Sequence, residues 1–190
     1  MKTLVVFYSK TGSNGYLAKR IAAALGADRE EIRPRLDLFF FLMIFSLIGK
    51  GGGIRKLRKN PGDYDQVVLC GPIWMGRLIS PLRIFLGKYG GEIKRLSFVS
   101  CCGGGEETKD DKFGYAGVFR AVEGLSRGRC FHCEAFPIGL VLPEDKKEDS
   151  TAVMNTRLSD ANFTGPMEQR FDGFIRRIQG DSSTLKNDTL

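Results

Sequence analysis

The sequence predicts an α/β protein of three layers, a parallel sheet with helices on both faces. Short apolar runs bounded by polar or glycine residues alternate with longer segments whose apolar residues recur at helical spacing. Strand–helix–strand connections of that length are right-handed, which leaves the sheet parallel and covered on both sides. At 190 residues, 42% of them hydrophobic, the chain suits one such domain with a sizeable core and leaves little room for a second.

Leu4 to Tyr8 is the first buried strand, and Leu17, Ala18, Ile21, Ala22 and Leu25 line one face of the helix after it, with Asn14 as N-cap and Gly26 closing the end. A weaker strand falls near Glu31 to Arg33. Next comes Leu36 to Ile48 (LDLFFFLMIFSLI), apolar apart from Asp37 and Ser46 and too short to span a bilayer as a helix. Val67 to Cys70 is a strand. Ser80-Pro81 opens a helix with Leu82, Phe85 and Leu86 inward. Leu96 to Ser100 is the next strand, followed by a helix carrying Tyr115, Val118, Phe119, Val122 and Leu125 before Gly128. Ala135 to Leu142 completes the set of five strands.

Glu144 to Thr164 is a long polar connection, either a surface loop or a partner-binding insertion. The last helix opens at Gly165-Pro166 and buries Met167, Phe171, Phe174, Ile175 and Ile178. Arg176 and Arg177 sit near its negative end, and Gly180 stops it. The domain is therefore expected over residues 1–180, with 181–190 as a polar C-terminal tail.

The formal charge of +7 favours anionic partners such as acidic proteins, phosphorylated cofactors or a membrane face, although solubility alone accounts for it equally well. Five cysteines form no even framework, and the opening MKTLVVFYSK lacks a secretory cleavage pattern. A reducing cytoplasm is the expected compartment, with membrane association through the apolar run as its variant.

Ligands of parallel sheets sit beyond the carboxyl ends of the strands, and three loops at that rim carry suitable chemistry. After the first strand comes Ser9-Lys10-Thr11-Gly12-Ser13-Asn14, hydroxyls and a glycine leading into a helix whose free amides face the loop, which is a phosphate cradle. After Cys70 comes Gly71-Pro72-Ile73-Trp74-Met75-Gly76, a rigid turn presenting a large aromatic and a thioether, suited to a planar ring. After Ser100 comes Cys101-Cys102-Gly103-Gly104-Gly105-Glu106, where glycines let backbone amides approach a ligand edge.

Other chemistries fit poorly. No GxxxxGK[ST] string is present, which removes a P-loop nucleotide triphosphatase. A phospho-receiver domain needs acids after the first strand and an aspartate after the third, where Ser9 and Gly71 stand. Cys130-Phe131-His132-Cys133 is one pair plus one histidine, short of four zinc ligands. Cys101 and Cys102 lie at the opposite end of a neighbouring strand, roughly 17 Å away. Those thiols read as buried rather than metal-binding or redox-active. His132 has no nucleophile and orienting acid around it, so hydrolase chemistry has no support.

Taken together, YSKTGSN, YDQVVLCGPIWMG with SPLRIFL following, and LSFVSCCGGGEE resemble, in order and spacing, the three FMN-binding loops of the flavodoxin family. The resemblance covers about residues 1 to 179, with the first half most specific and Glu144 to Thr164 poorly matched. It departs at Asn14, where the family usually has threonine, and at Cys101-Cys102, where serine or threonine is more usual. It implies a flavodoxin-like sheet of order 2-1-3-4-5 and FMN as cofactor. Ser9, Lys10, Thr11, Gly12, Ser13 and Asn14 would hold the phosphate, and Pro72, Ile73, Trp74, Met75 and Gly76 would cover one side of the isoalloxazine. Cys101, Cys102, Gly103, Gly104 and Gly105 would line another edge, with Trp74 as the stacking residue. Arg77 near the flavin would favour its negatively charged reduced form, and Glu106 and Glu107 would oppose that.

No catalytic side chain is singled out. The resemblance leaves two functions, an oxidoreductase passing electrons from NAD(P)H to a quinone-like acceptor, and a non-enzymatic carrier docking to redox partner proteins. Carriers of the family are typically acidic, so the basic charge leans towards the oxidoreductase. Nothing points to nucleic acid. The run 38–48, followed by glycines and by Arg55, Lys56, Arg58 and Lys59, reads as a homodimer contact, a peripheral membrane helix or a core helix.

Overall fold

The computed structural model describes residues 1–48, 52–103, 109–110 and 114–187. Five strands pair in parallel: β1 (Thr3–Phe7), β2 (Asp28–Glu31), β3 (Gln66–Cys70), β6 (Leu96–Cys102) and β7 (Cys130–Pro137). Their spatial order is β2-β1-β3-β6-β7, which is 2-1-3-4-5 when only these strands are numbered. Between β3 and β6 a small antiparallel hairpin intervenes, β4 (Ile73–Trp74) and β5 (Arg77–Leu78).

Alternation along each strand divides the core in two. Leu4, Val6, Val67, Leu69, Leu96 and Phe98 face one layer, formed by α2 (Phe39–Ile48), α3 (Ser80–Tyr89) and α4 (Ala116–Leu125). Val5, Val68, Cys70 and Val99 face the other, where α1 (Ser13–Leu25) and α6 (Pro166–Asn187) pack. Strands buried on both sides have no room for a polar face, which is why QVVLC and LSFVSCC read as continuous rather than alternating runs.

The edge strands depart from this, β7 being only partly buried at its amino end and β2 a charged DREE held by its pairing with β1. Charge on an edge discourages pairing with other chains. Residues beyond it close back on themselves, with Arg55 N donating to Arg33 O (2.8 Å) and Arg35 N to Gly53 O (3.1 Å).

Several expected boundaries move. The weak strand lies at Asp28–Glu31, not Glu31 to Arg33, because the ladder with β1 runs Leu4 to Phe7 and ends at Glu31. The last strand begins at Cys130 and ends at Pro137. Ile138–Val141, expected as strand, is a 3-10 turn beyond the reach of β6, whose final pair is Cys102 with Pro137. Gly180 does not stop the last helix, which continues to Asn187. Arg176 and Arg177 are thus mid-helix, and Arg177, with Arg170, grips Glu134 on β7.

The apolar run forms α2, and the structure explains its one serine. Ser46 Oγ donates to Leu42 O (2.6 Å) within α2 and accepts from Ser80 N (2.9 Å), the first amide of α3. That helix has no capping side chain of its own, so Ser46 caps it across the layer. Leu42 is buried in the core while Phe41 stays 40% exposed, so α2 is in part a core helix. No helix among the described residues is long and apolar enough to cross a membrane.

Candidate functional site

The loops after β1, β3 and β6 meet at the carboxyl rim of the sheet around a groove of about 170 Å³. The first loop supplies Thr11, Ser13 and Asn14, the second Pro72, Ile73 and Trp74, and the third Cys101, Cys102 and Gly103. Three segments far apart in sequence therefore converge, as parallel topology requires of loops on one rim.

The start of α1 is open to an anion. Its N-cap is Gly12, at φ 103°, and no side chain caps the helix. A side chain at that φ is strained, so glycine fits. The first helical backbone bond is Tyr16 N to Gly12 O (2.8 Å), leaving the amides of Ser13, Asn14 and Gly15 without acceptors among the described residues, at the positive end of the helix dipole.

Asn14 is not the N-cap expected of it. Its side chain is buried and donates from Nδ2 to Cys101 O (2.9 Å) while Oδ1 accepts from Cys101 N (2.8 Å). Ser13 Oγ likewise accepts from Leu158 N (3.2 Å). These two side chains tie the loop to its surroundings, and both residues line the groove.

Ser9, Lys10 and Gly12 shape the loop without lining the groove. Ser9 Oγ accepts from Gly12 N (3.1 Å), and Lys10 Nζ is held by Asp37 through O (2.8 Å) and Oδ1 (3.1 Å). Asp37 also accepts from Tyr8 Oη (2.8 Å). Burial, then that hydrogen bond, pushes the Tyr8 hydroxyl well above its ordinary pKa.

The second loop leaves β3 at Gly71, where a Cβ would lie 2.7 Å from Leu82 Cδ1, so any side chain there would force the buried Leu82 to shift. Met75 (φ 50°) and Gly76 (φ 66°) then make the two-residue turn of the β4–β5 hairpin. Met75 is 55% exposed. With Gly76 and Arg77 it lines a separate hollow beside α4, not the groove. Gly104 and Gly105 lie outside the described residues, as do Glu106 and Glu107.

Burial pushes the Cys101 thiol up to about 12, against a smaller opposing pull from Ser13 and Arg157. It is a neutral thiol at physiological pH. It adds bulk and no charge to the groove floor.

Sequence reasoning missed the far wall. Ile138 and, from the polar connection, Val153, Met154, Thr156 and Arg157 complete the groove. Ile138 belongs to the 3-10 turn after β7, and the other four come from or just follow a short helix, α5 (Ser150–Asn155), which Asp149 caps by accepting from Thr151 N (2.8 Å). Arg157 is braced by the carbonyls of Met154 and Thr156. The available signal was the apolar Ala152-Val153-Met154 inside an otherwise polar stretch.

A larger hollow of about 420 Å³ runs along β2, but Arg29, Glu30, Glu31, Arg33, Arg55, Lys56 and Arg58 line it with only Phe7 for an apolar wall. That lining suits no planar ring. No group of three or more His, Cys, Asp or Glu side chains is placed to hold a metal among the described residues.

A five-stranded parallel sheet of this order, sandwiched by helices and with its binding loops at the carboxyl rim, defines the flavodoxin-like fold. Solved structures share it at low sequence identity. A flavoprotein from Lactobacillus acidophilus, crystallised in complex with FMN, is 15% identical over 70% of this chain and 92% of its own, with a TM-score of 0.55. A flavodoxin from Streptococcus pneumonia is 14% identical, with 95% and 99% covered and a TM-score of 0.50. Trp repressor binding protein from Bacillus subtilis is 12% identical, with 92% and 96% covered and a TM-score of 0.50. No family model and no curated protein sequence matches the chain.

Proposed function

We propose that the chain binds FMN in the rim groove and works as an oxidoreductase that passes electrons from NAD(P)H to a quinone-like acceptor. The observation that carries this reading is the meeting of an uncapped helix N-terminus, a half-buried tryptophan and the Cys101–Gly103 backbone around one groove.

The donor set suits a phosphate monoester. The uncapped start of α1 at Ser13 and Asn14, with Thr11 and Arg157 on the same groove, would share its negative charge. Trp74, half-buried and packed in part against the core, lines the groove as its large aromatic, and the uncharged floor at Cys101 suits an apolar tricycle.

At about 170 Å³ the groove is narrower than the ~300–1,000 Å³ of typical small-molecule sites. Its outer side is closed by the α5 wall, where Met154 is 73% exposed. When bound, the flavin supplies the electron exchange itself, and the protein sets its access and surroundings.

Support for an enzyme over a carrier comes from the +7 charge, which suits anionic nicotinamide cofactors. The test is to reconstitute the protein with FMN, record the visible spectrum, and add NADPH or NADH without oxygen. Rapid bleaching is expected. A bound flavin that keeps its colour makes the protein a carrier between redox proteins, and absence of a bound flavin removes both readings.

A further inference from the structure

Of the five cysteines, Cys70, Cys101 and Cys102 are buried, the last two at the groove lining, whereas Cys130 and Cys133 are half-buried. In a regular strand residues three apart point to opposite faces. Strand β7 is not regular here. Leu96 pairs with Cys130 but Ser97 with His132, so Phe131 is the extra residue of a β-bulge. The bulge resets the alternation, and both thiols pack against the same core layer with their sulfurs 3.5 Å apart. Phe131 is turned outward, 52% exposed, under the Arg95 guanidinium at 4.2 Å.

The two thiols are unequal. The Cys133 hydrogen bond is the largest influence on Cys130 and lowers its pKa, while burial and the Glu123 carboxylate act against it. Cys133 is pushed up, first by Cys130, then by burial, with Glu123 and Glu134 adding to the rise. The 3.5 Å contact lets a proton on either sulfur stabilise a thiolate on the other, and the lowered pKa favours Cys130 as that thiolate. Buried packing alone needs neither the bulge nor the contact.

We infer that Cys130 and Cys133 form a dithiol site that reduces low-molecular-weight disulfides and is itself converted to an intramolecular disulfide. The Cys130 thiolate attacks one sulfur of the substrate, forming a mixed disulfide and releasing the first thiolate. Cys133 gives up its proton, which the departing thiolate takes, and its sulfur attacks that of Cys130. The second substrate half leaves as a thiolate and is protonated from water, balancing the proton Cys130 lost earlier. Two protein thiols are oxidised and one disulfide becomes two thiols. The sulfurs close from 3.5 Å to the ~2 Å of a disulfide at the first residue of β7, where the ladder is already interrupted.

This site lies at the amino end of β7, while the groove is at the carboxyl rim beyond β6. The seven residues of β6 put roughly 20 Å between them. Its chemistry therefore stands or falls independently of flavin binding.

The experiment treats the reduced, full-length protein with excess oxidised glutathione, alkylates it in denaturant, and maps each cysteine by mass spectrometry. The peptide beginning at Cys130 is expected to resist alkylation until reduced and to be lighter by two hydrogens, with Cys70, Cys101 and Cys102 alkylated. Cys133→Ser should stop at glutathione attached to Cys130. Cys130→Ser should react at least tenfold more slowly than the native protein. Free Cys130 and Cys133 after treatment, or glutathione on both, would overturn the inference. So would a Cys133→Ser protein that carries no glutathione while its unchanged circular dichroism shows it folded.

Discussion

Asn14 and Cys101, 87 residues apart in sequence, are joined by a closed pair of hydrogen bonds, Asn14 Nδ2 to Cys101 O at 2.9 Å and Cys101 N to Asn14 Oδ1 at 2.8 Å. An amide side chain matches one backbone amide in this way and no hydroxyl does, since it presents a donor and an acceptor side by side. The pair fixes the first turn of α1 to the carboxyl end of β6, so two of the three groove loops move as one body.

Removing that amide by Asn14→Ala leaves a buried N–H and a buried C=O without partners. The expected loss is about 2–6 kcal/mol, from ~1–3 kcal/mol for each of the two stranded groups, measured by urea denaturation. A loss below about 0.5 kcal/mol, the scale of an ordinary surface change, would show that the pair contributes little.

Arg157 brings a cation to the groove from outside the three loops. Losing a hydrogen bond to a charged group costs ~1.5–3 kcal/mol, so Arg157→Ala should weaken FMN binding about tenfold to a hundredfold in calorimetric titration. Riboflavin, which lacks the phosphate, should bind the native protein and the variant alike. An equal loss for both ligands would assign Arg157 to packing of α5 instead.

Ser46 is the cap of α3 supplied by α2. Ser46→Ala should lower stability by about 0.5–2 kcal/mol, as for other helix caps, and leave flavin affinity unchanged. An unaltered urea midpoint would contradict the capping role.

Tyr64 Oη donates to Asp28 Oδ2 at 2.7 Å and couples stability to pH at both extremes. Asp28 is held below the usual carboxylate range, first by that bond and then by Lys59, so it contributes stability present above its unfolded pKa and lost as acid protonates it. Tyr64 is raised to about 12, first by burial and then by the same bond. Its contribution is full below the unfolded tyrosine value of ~10 and is lost as pH climbs through 12. Tyr64→Phe should therefore flatten both limbs of a stability–pH curve. A curve with the native shape would show the bond to be immaterial.

The layers and the central strands were legible because burial on both faces writes itself as uninterrupted apolar runs, as in Val67 to Cys70. Edges and ends were not. The β2 ladder is carried by backbone bonds to β1 and leaves only the charged DREE in the sequence. Ile138 to Leu142 is as apolar as a strand, yet its neighbour β6 has already ended. At the rim, the loops read from order and spacing bring Thr11, Trp74 and Gly103 to one groove. The far wall at Arg157 depends on how a polar connection folds back over the rim, which no periodicity records. The role of Asn14 was hidden because a cap and a long-range bond call for the same residue type.

Trp74 is the chain's only tryptophan and lines the groove, so its emission reports directly on whether a flavin ring enters there. Titrating FMN into the flavin-free protein should quench that emission saturably, at one equivalent per chain. Emission that follows only the added flavin's own absorbance, without saturation, would contradict the account at its centre.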